Sequence, residues 1–188
     1  MAATEGLGQD PGRVLEGLAG FTGTRRRFEP KGEVAGVRVV DDYAHNPGKV
    51  RAVVETARSI AAPGRLIVVF QPHLYSRTRY FAAELATALS PADVVIVMDV
   101  YAAREDPMPG VSGALIADRL ADAARPRAGE QARFVPFWSD VAPLVVQLAR
   151  AGDLVLTVGA GDVTMIGPEI LRLLGERPDP TDVARGQE

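Results

Sequence analysis

Five short apolar runs recur along the chain, and each is followed by a stripe of apolar residues at helical spacing. The runs are Val37–Val40, Leu66–Phe70, Val94–Met98, Phe134–Val135 and Leu154–Val158. After the first, Val50, Val53, Val54, Ala57 and Ile60 repeat at three- and four-residue intervals; Phe81, Leu85, Ala88 and Leu89 do so after the second. Ile116, Leu120, Ala123 and Ala124, then Val141, Leu144, Val145 and Leu148, then Ile166, Ile170, Leu173 and Leu174 continue the pattern. Strands that are apolar throughout and alternate with amphipathic helices predict βαβ units and a mostly parallel sheet covered on both faces. The expected fold is a doubly wound, Rossmann-like α/β domain. Asn46-Pro47 predicts a helix start, with a capping side chain followed by proline at the first helical position.

The two ends break this rhythm. Residues 3–20 read as a helical stretch carrying Val14, Leu15 and Leu18, with no strand of its own. Residues 21–36 hold the triplet Arg25-Arg26-Arg27, a short antiparallel strand and turn-forming glycines. The expected division is therefore 1–22, the last helix of a preceding domain and its linker; 23–175, the α/β domain; and 176–188, a tail without an apolar stripe, read as disordered. Met1 before Ala2 reads as an added start codon or the start of a truncated gene.

Composition excludes several chemistries. The 188 residues contain no cysteine and two histidines, which removes thiolate nucleophiles, Cys-type zinc sites and three-His metal sites. A formal net charge of −3 argues against nucleic acid or an anionic membrane as partner. No apolar run is long enough to span a bilayer and no secretory signal opens the chain, so a cytoplasmic location is expected.

Ligands of parallel sheets bind beyond the carboxyl ends of the strands, and the chemically capable residues fall there. Asp41-Asp42-Tyr43-Ala44-His45-Asn46-Pro47 follows the first run, Gln71-Pro72-His73-Leu74-Tyr75-Ser76-Arg77-Thr78-Arg79 the second, and Gly159-Ala160-Gly161-Asp162 the last. Such groups suit a nucleotide and small anions. Asp42 can accept from ribose hydroxyls, Tyr43 can stack on a base, and the planar fork of Arg77 matches phosphate or carboxylate. The glycine turn lets backbone N–H groups approach an anion, and His45 can polarise or shuttle a proton near neutrality. Each residue also has a plain structural role open to it: carboxylates cap helices, histidines hydrogen-bond in place, arginines are solvated, and Gly-Ala-Gly is a tight turn. Arg25-Arg26-Arg27 reads as a solvated run, and Phe137 and Trp138 as packing residues. Convergence on one edge is what favours a site. No P-loop is present, because Gly48-Lys49 is followed by Val50 and position 43 is Tyr; the main grip on a triphosphate must come from elsewhere.

Residues from about Ala2 to Leu174 resemble the C-terminal region of the Mur ligase family, in its L-alanine-adding branch. The resemblance is carried by Phe21–Glu29 (FTGTRRRFE), Val39–Pro47 (VVDDYAHNP), Phe70–Thr78 (FQPHLYSRT), Asp99–Glu105 (DVYAARE) and Gly159–Asp162 (GAGD). The Phe70–Thr78 segment is the specific one, and with Leu74 it resembles the actinobacterial members. The resemblance implies a three-domain enzyme that uses ATP and Mg2+ to phosphorylate the carboxylate of UDP-N-acetylmuramate, after which L-alanine displaces the phosphate. It implies that the N-terminal and central domains lie outside this chain. It assigns Arg27 to the ATP phosphates, Asp42 to the ribose and Tyr43 to the nucleotide. His45 and Arg77 would face the reacting phosphate and amino acid, and Ala160, Gly161 and Asp162 would border the amino-acid pocket. Catalytic roles thus fall on His45, Arg77 and Arg27, and no metal ligand falls on this chain.

The sequence departs from many family members at Leu74, where they carry Arg, and at Asn46, Gly48 and Lys49. Without a P-loop or sugar site, the chain alone is expected to be inactive as a ligase. A tripeptide-recycling ligase or a folylpolyglutamate synthase is a competing reading that the Phe70–Thr78 segment opposes. A stand-alone, non-catalytic module that binds nucleotide or a cell-wall precursor is the alternative from another class.

Overall fold

The computed structural model describes residues 8, 10–20, 23–122 and 132–177. Helix α1 (Pro11–Ala19) opens the described part; β1 (Glu29–Val34) and β2 (Val37–Asp42) form a hairpin. Then come α2 (Pro47–Ala61), β3 (Leu66–Phe70), α3 (Tyr75–Leu89), β4 (Val94–Val97), α4 (Ala114–Asp122), β5 (Ala132–Phe134), α5 (Trp138–Leu148) and β6 (Leu154–Val158). A 3-10 turn (Asp162–Met165) leads into α6 (Ile166–Gly175).

The six strands form one sheet in the order β1-β2-β6-β3-β4-β5, parallel except for β1. β6 lies between β2 and β3, with Val155 opposite both Val39 and Ile67. Because successive strand side chains point to opposite faces, the core divides in two. Val40, Val68, Phe70, Val95, Val97 and Leu156 pack with α2, α3 and α4, while Val39, Ile67, Val69, Ile96 and Val155 pack with α5 and α6. Each large side chain that is fully removed from water, such as Phe70, contributes about 1.5–3 kcal/mol. The mostly parallel, doubly wound sheet with helices on both faces is the architecture the alternating pattern predicts.

Asn46 caps α2 as expected, its Oδ1 accepting from Lys49 N at 3.0 Å with Pro47 behind it. The same device recurs at α1, where Asp10 Oδ1 accepts from Gly12 N at 3.1 Å and Pro11 stands at the first helical position; residues 3–7 and 9 of the expected helical stretch lie outside the described residues. Leu15 on α1 is exposed. Phe137 and Trp138 are corrected from packing residues to surface ones, since 69% and 41% of their areas face solvent at the start of α5. Ile60 also leaves its stripe, as the helical repeat turns it outward at the last turn of α2. The tail from 178 to 188 and Ala123–Ala124 lie outside the described residues.

Candidate functional site

β2, β6 and β3 are neighbours, so the three loops that follow them meet at one crevice. Backbone hydrogen bonds fix the meeting: Gly159 N donates to Asp42 O at 3.1 Å, and Gln71 N to Val158 O at 3.0 Å. Gln71, 6% exposed, adds side-chain bonds, donating through Nε2 to Asp162 Oδ1 (2.6 Å) and accepting from Val163 N (3.1 Å).

Asp41 and Asp42 occupy the end of β2 and therefore diverge. Asp42 is 8% exposed; its Oδ2 accepts from Phe28 N and its Oδ1 from Ala44 N, both at 2.8 Å. Each oxygen keeps a second lone pair for a ligand hydroxyl. Asp41 is fully buried on the other face, where Thr157 Oγ1 (2.7 Å), Thr164 Oγ1 (2.8 Å) and Arg26 Nε (3.2 Å) all donate to it. The expectation of a solvated arginine run is corrected at its middle member. Arg26 reaches inward to pair with Asp41, and its Nη2 donates to Gly159 O (2.6 Å) and Gly161 O (3.3 Å). Arg25 and Arg27 remain exposed and make no ion pair among the described residues.

Arg25, Arg27, Lys31, Tyr43, Thr164 and Met165 line a concavity of about 470 Å3. Lys31 is matched by Glu29 at 2.9 Å and Arg26 by Asp41, so two uncompensated positive charges remain at its wall. A ligand with a flat ring for Tyr43 and negative charge for Arg25 and Arg27 fits that lining.

Four rings continue across the carboxyl edge. Tyr43 and His45 have centroids 5.4 Å apart, His45 and His73 5.7 Å, and His73 and Tyr101 5.9 Å with near-parallel planes. His45 Nδ1 lies 3.0 Å from Tyr43 O; the tautomer protonated there donates and turns Nε2 outward as an acceptor. His73 is held below the ordinary imidazole value of 6.5, first by burial and then by His45 and Arg77. Its Nδ1 is buried without a hydrogen-bond partner. Arg77, exposed on the first turn of α3, adds its charge against protonation of His73.

That turn is capped from outside. Leu74, before the helix, has φ +71° and no capping side chain. Glu105 supplies the cap instead, accepting from Ser76 N at 2.9 Å and from Ser76 Oγ. Leu74 N donates to Tyr101 O and Tyr101 N to Pro72 O, at 3.0 and 2.8 Å, bridging the loops after β3 and β4. The Tyr101 ring rests on Gly161, where a Cβ would lie within 2.5 Å of it. Gly159, at φ +151°, has Gln71 O where a Cβ would stand, 2.8 Å away, so the turn needs both glycines.

Of the expected site residues, Asp42, Tyr43, His45, Gly161 and Asp162 are linked at this edge by hydrogen bonds or ring contacts, Asp162 through Gln71; Arg27 lines the concavity with Tyr43, Arg77 stands on the first turn of α3, and Ala160 precedes Gly161 in its turn. Sequence reasoning passed over Arg26, Gln71, Tyr101 and Glu105. The Asp-Asp pair carried a usable signal, because adjacent strand residues face opposite ways and one of the two must find a partner inside. Among the described residues, no three His, Asp or Glu side chains converge as a metal cage. No described helix is long and apolar enough to cross a membrane.

Fold and edge together define a doubly wound α/β domain with charged and aromatic side chains gathered at the carboxyl edge of its sheet. Residues 26–161 match the family model described as Mur ligase, glutamate ligase domain, and the chain belongs to that family. It is 61% identical over 176 residues to the UDP-N-acetylmuramate–L-alanine ligase of Kineococcus radiotolerans, covering 94% of this chain and 36% of that protein. It is 58% identical over 158 residues to the enzyme of the same name from Saccharopolyspora erythraea, covering 84% and 31%. The crystal structure of UDP-N-acetylmuramate-alanine ligase from Thermotoga maritima superposes with a TM-score of 0.70 at 29% identity, over 94% of this chain and 36% of that one. The chain spans about a third of the length of these relatives.

Proposed function

We propose that this chain is the C-terminal ATP- and amino-acid-binding domain of an ATP-dependent ligase that joins L-alanine to UDP-N-acetylmuramate in the cytoplasm, for peptidoglycan precursor synthesis. The single observation that carries the proposal is the convergence of Arg27, Asp42, Tyr43, His45, Arg77 and the Gly159–Asp162 turn on one edge, in a chain 61% identical to such a ligase.

In this reading the N-terminal and central domains supply the sugar site, the P-loop and the Mg2+ ligands. The side chains described above form no metal cage, so no step is assigned to a metal here. ATP phosphorylates the lactyl carboxylate, releasing ADP; the amine of L-alanine then attacks the acyl carbon and expels phosphate. Both steps gather negative charge, which preorganised cationic donors stabilise most when water is excluded. Arg27 faces the ATP phosphates, Asp42 the ribose and Tyr43 the base. Arg77 serves the acyl phosphate or the amino-acid carboxylate, and His45 Nε2 can take the proton that the attacking amine loses. Ala160, Gly161 and Asp162 edge the amino-acid pocket. Delivery of these groups by a separate domain couples closure to protection of a hydrolysable intermediate.

The test mixes the chain with a separately made half of a homologous ligase containing the sugar-binding and ATPase domains, and follows L-alanine-dependent ADP release. The expected result is turnover in the mixture and none from either half alone. ADP release by the isolated chain, or none from a mixture of two folded halves, would count against it.

A further inference from the structure

Arg26 occupies a left-handed backbone conformation, φ +56°, which a non-glycine residue keeps only where its surroundings enforce it. Here both the backbone and the guanidinium of the residue are engaged. Its N–H donates to Glu29 Oε2 at 2.7 Å and its carbonyl accepts from Tyr43 N at 2.9 Å. Its guanidinium pairs with buried Asp41, donates to the carbonyls of Gly159 and Gly161, and lies 4.8 Å from the centroid of the Tyr43 ring. One side chain therefore touches the aromatic platform next to Arg27 and, on its other side, the glycine turn.

We propose that Arg26 is a positioning residue that couples the two halves of the edge, the Arg27–Tyr43 half and the Gly159–Asp162 half, so that a displacement at Tyr43 is felt at the glycine turn. The geometry requires arginine. A planar fork can lie against a ring while its separate N–H groups reach one carboxylate and two carbonyls; an ammonium is a compact charge on a flexible stem. The far end of the coupling is stiff because Asp41 is also held by Thr157 and Thr164, the latter in the 3-10 turn that follows Gly161. The description of the halves as nucleotide- and amino-acid-facing rests on the function proposed above; the coupling itself does not.

The experiment needs no ligand. Amide hydrogen exchange is followed by NMR at Gly159, whose N–H bonds Asp42 O, and at Val163, whose N–H bonds Gln71 Oε1. Tyr43→Leu removes the ring and is compared in two backgrounds, wild type and Arg26→Lys. In the wild type it is expected to speed exchange at both amides about fivefold, the equivalent of one net hydrogen bond. In Arg26→Lys the turn is already faster, and Tyr43→Leu adds little. Should Arg26→Lys not fold, Arg26→Gln with Asp41→Asn removes the pair together and leaves no unmatched buried carboxylate. No effect of Tyr43→Leu in the wild type, or an equal effect in both backgrounds, overturns the proposal. In the reconstituted mixture, Arg26→Lys is expected to raise the KM for both ATP and L-alanine, whereas Arg27→Gln acts on ATP alone. A wild-type mixture without turnover overturns the ligase reading and leaves the exchange result to decide the coupling.

Discussion

Gln71 and Asp162 meet through a 2.6 Å hydrogen bond that joins the loop after β3 to the loop after β6. The other end of the same amide receives the Val163 N–H, so one buried side chain fixes the entrance of the 3-10 turn. Gln71→Leu leaves Val163 N without a partner and is expected to lower stability by about 1–3 kcal/mol in urea titration. Gln71→Glu should cost at least as much, because it sets a carboxylate against Asp162. Melting curves unchanged by either substitution would show that the amide is not a structural tie.

Gly161→Ala brings a methyl group against the Tyr101 ring and Gln71 Oε1. Overpacking of this kind costs about 1–3 kcal/mol. A Tyr101→Ala background should tolerate Gly161→Ala better than the wild-type background does, and a double-mutant cycle in denaturant measures that rescue. Additive effects would mean that the ring does not seat on the turn.

Neighbouring arginines should behave in opposite ways. Arg27 is exposed and unpaired among the described residues, so Arg27→Gln should change stability by no more than about 0.5 kcal/mol while weakening turnover of the reconstituted mixture. Arg26→Gln alone strands the buried Asp41 carboxylate and should cost about 3 kcal/mol, part of which Asp41→Asn restores. Thermal denaturation of the three variants distinguishes the roles.

Stability should fall in two stages as pH drops. His73 titrates below its ordinary 6.5 in the folded chain, so the unfolded chain takes up a proton first and stability declines from pH 6.5 downward through the folded value. Glu29 is held below its ordinary 4.5 by the Arg26 N–H and Lys31, and Glu105 below the same value by Ser76. Their contributions are complete above 4.5 and are lost as pH falls through their lowered folded values. His73→Phe keeps a ring against Tyr101 and should abolish only the upper stage in melts recorded across pH. An upper stage that survives in His73→Phe would refute the assignment to His73.

The fold was legible because its signals are local and repeated. Leu66–Phe70 and Leu154–Val158 are strands over the very residues their apolar runs span, and Asn46-Pro47 marks the true start of α2. Asp10-Pro11 carries the same capping signal, and Asp10 caps α1. The edge was legible as a place, since strand ends are fixed once strands are found. Its internal wiring was not. Nothing local separates Arg26 from Arg25 and Arg27; only Asp41, fifteen residues on, and the carbonyls of a turn more than 130 residues away select it. Glu105 likewise caps a helix 29 residues before it. Phe137 and Trp138 look like core residues by composition, but they fall past the end of β5, at the exposed start of α5.

The most direct test of the central claim is incorporation of radiolabelled L-alanine into UDP-N-acetylmuramate by the mixed halves, with ATP and Mg2+ present. The account predicts labelled product only when both polypeptides are present, with loss of product on Arg77→Gln in a chain that still folds. Product formed equally well without this chain, or unaffected by Arg77→Gln, would contradict it.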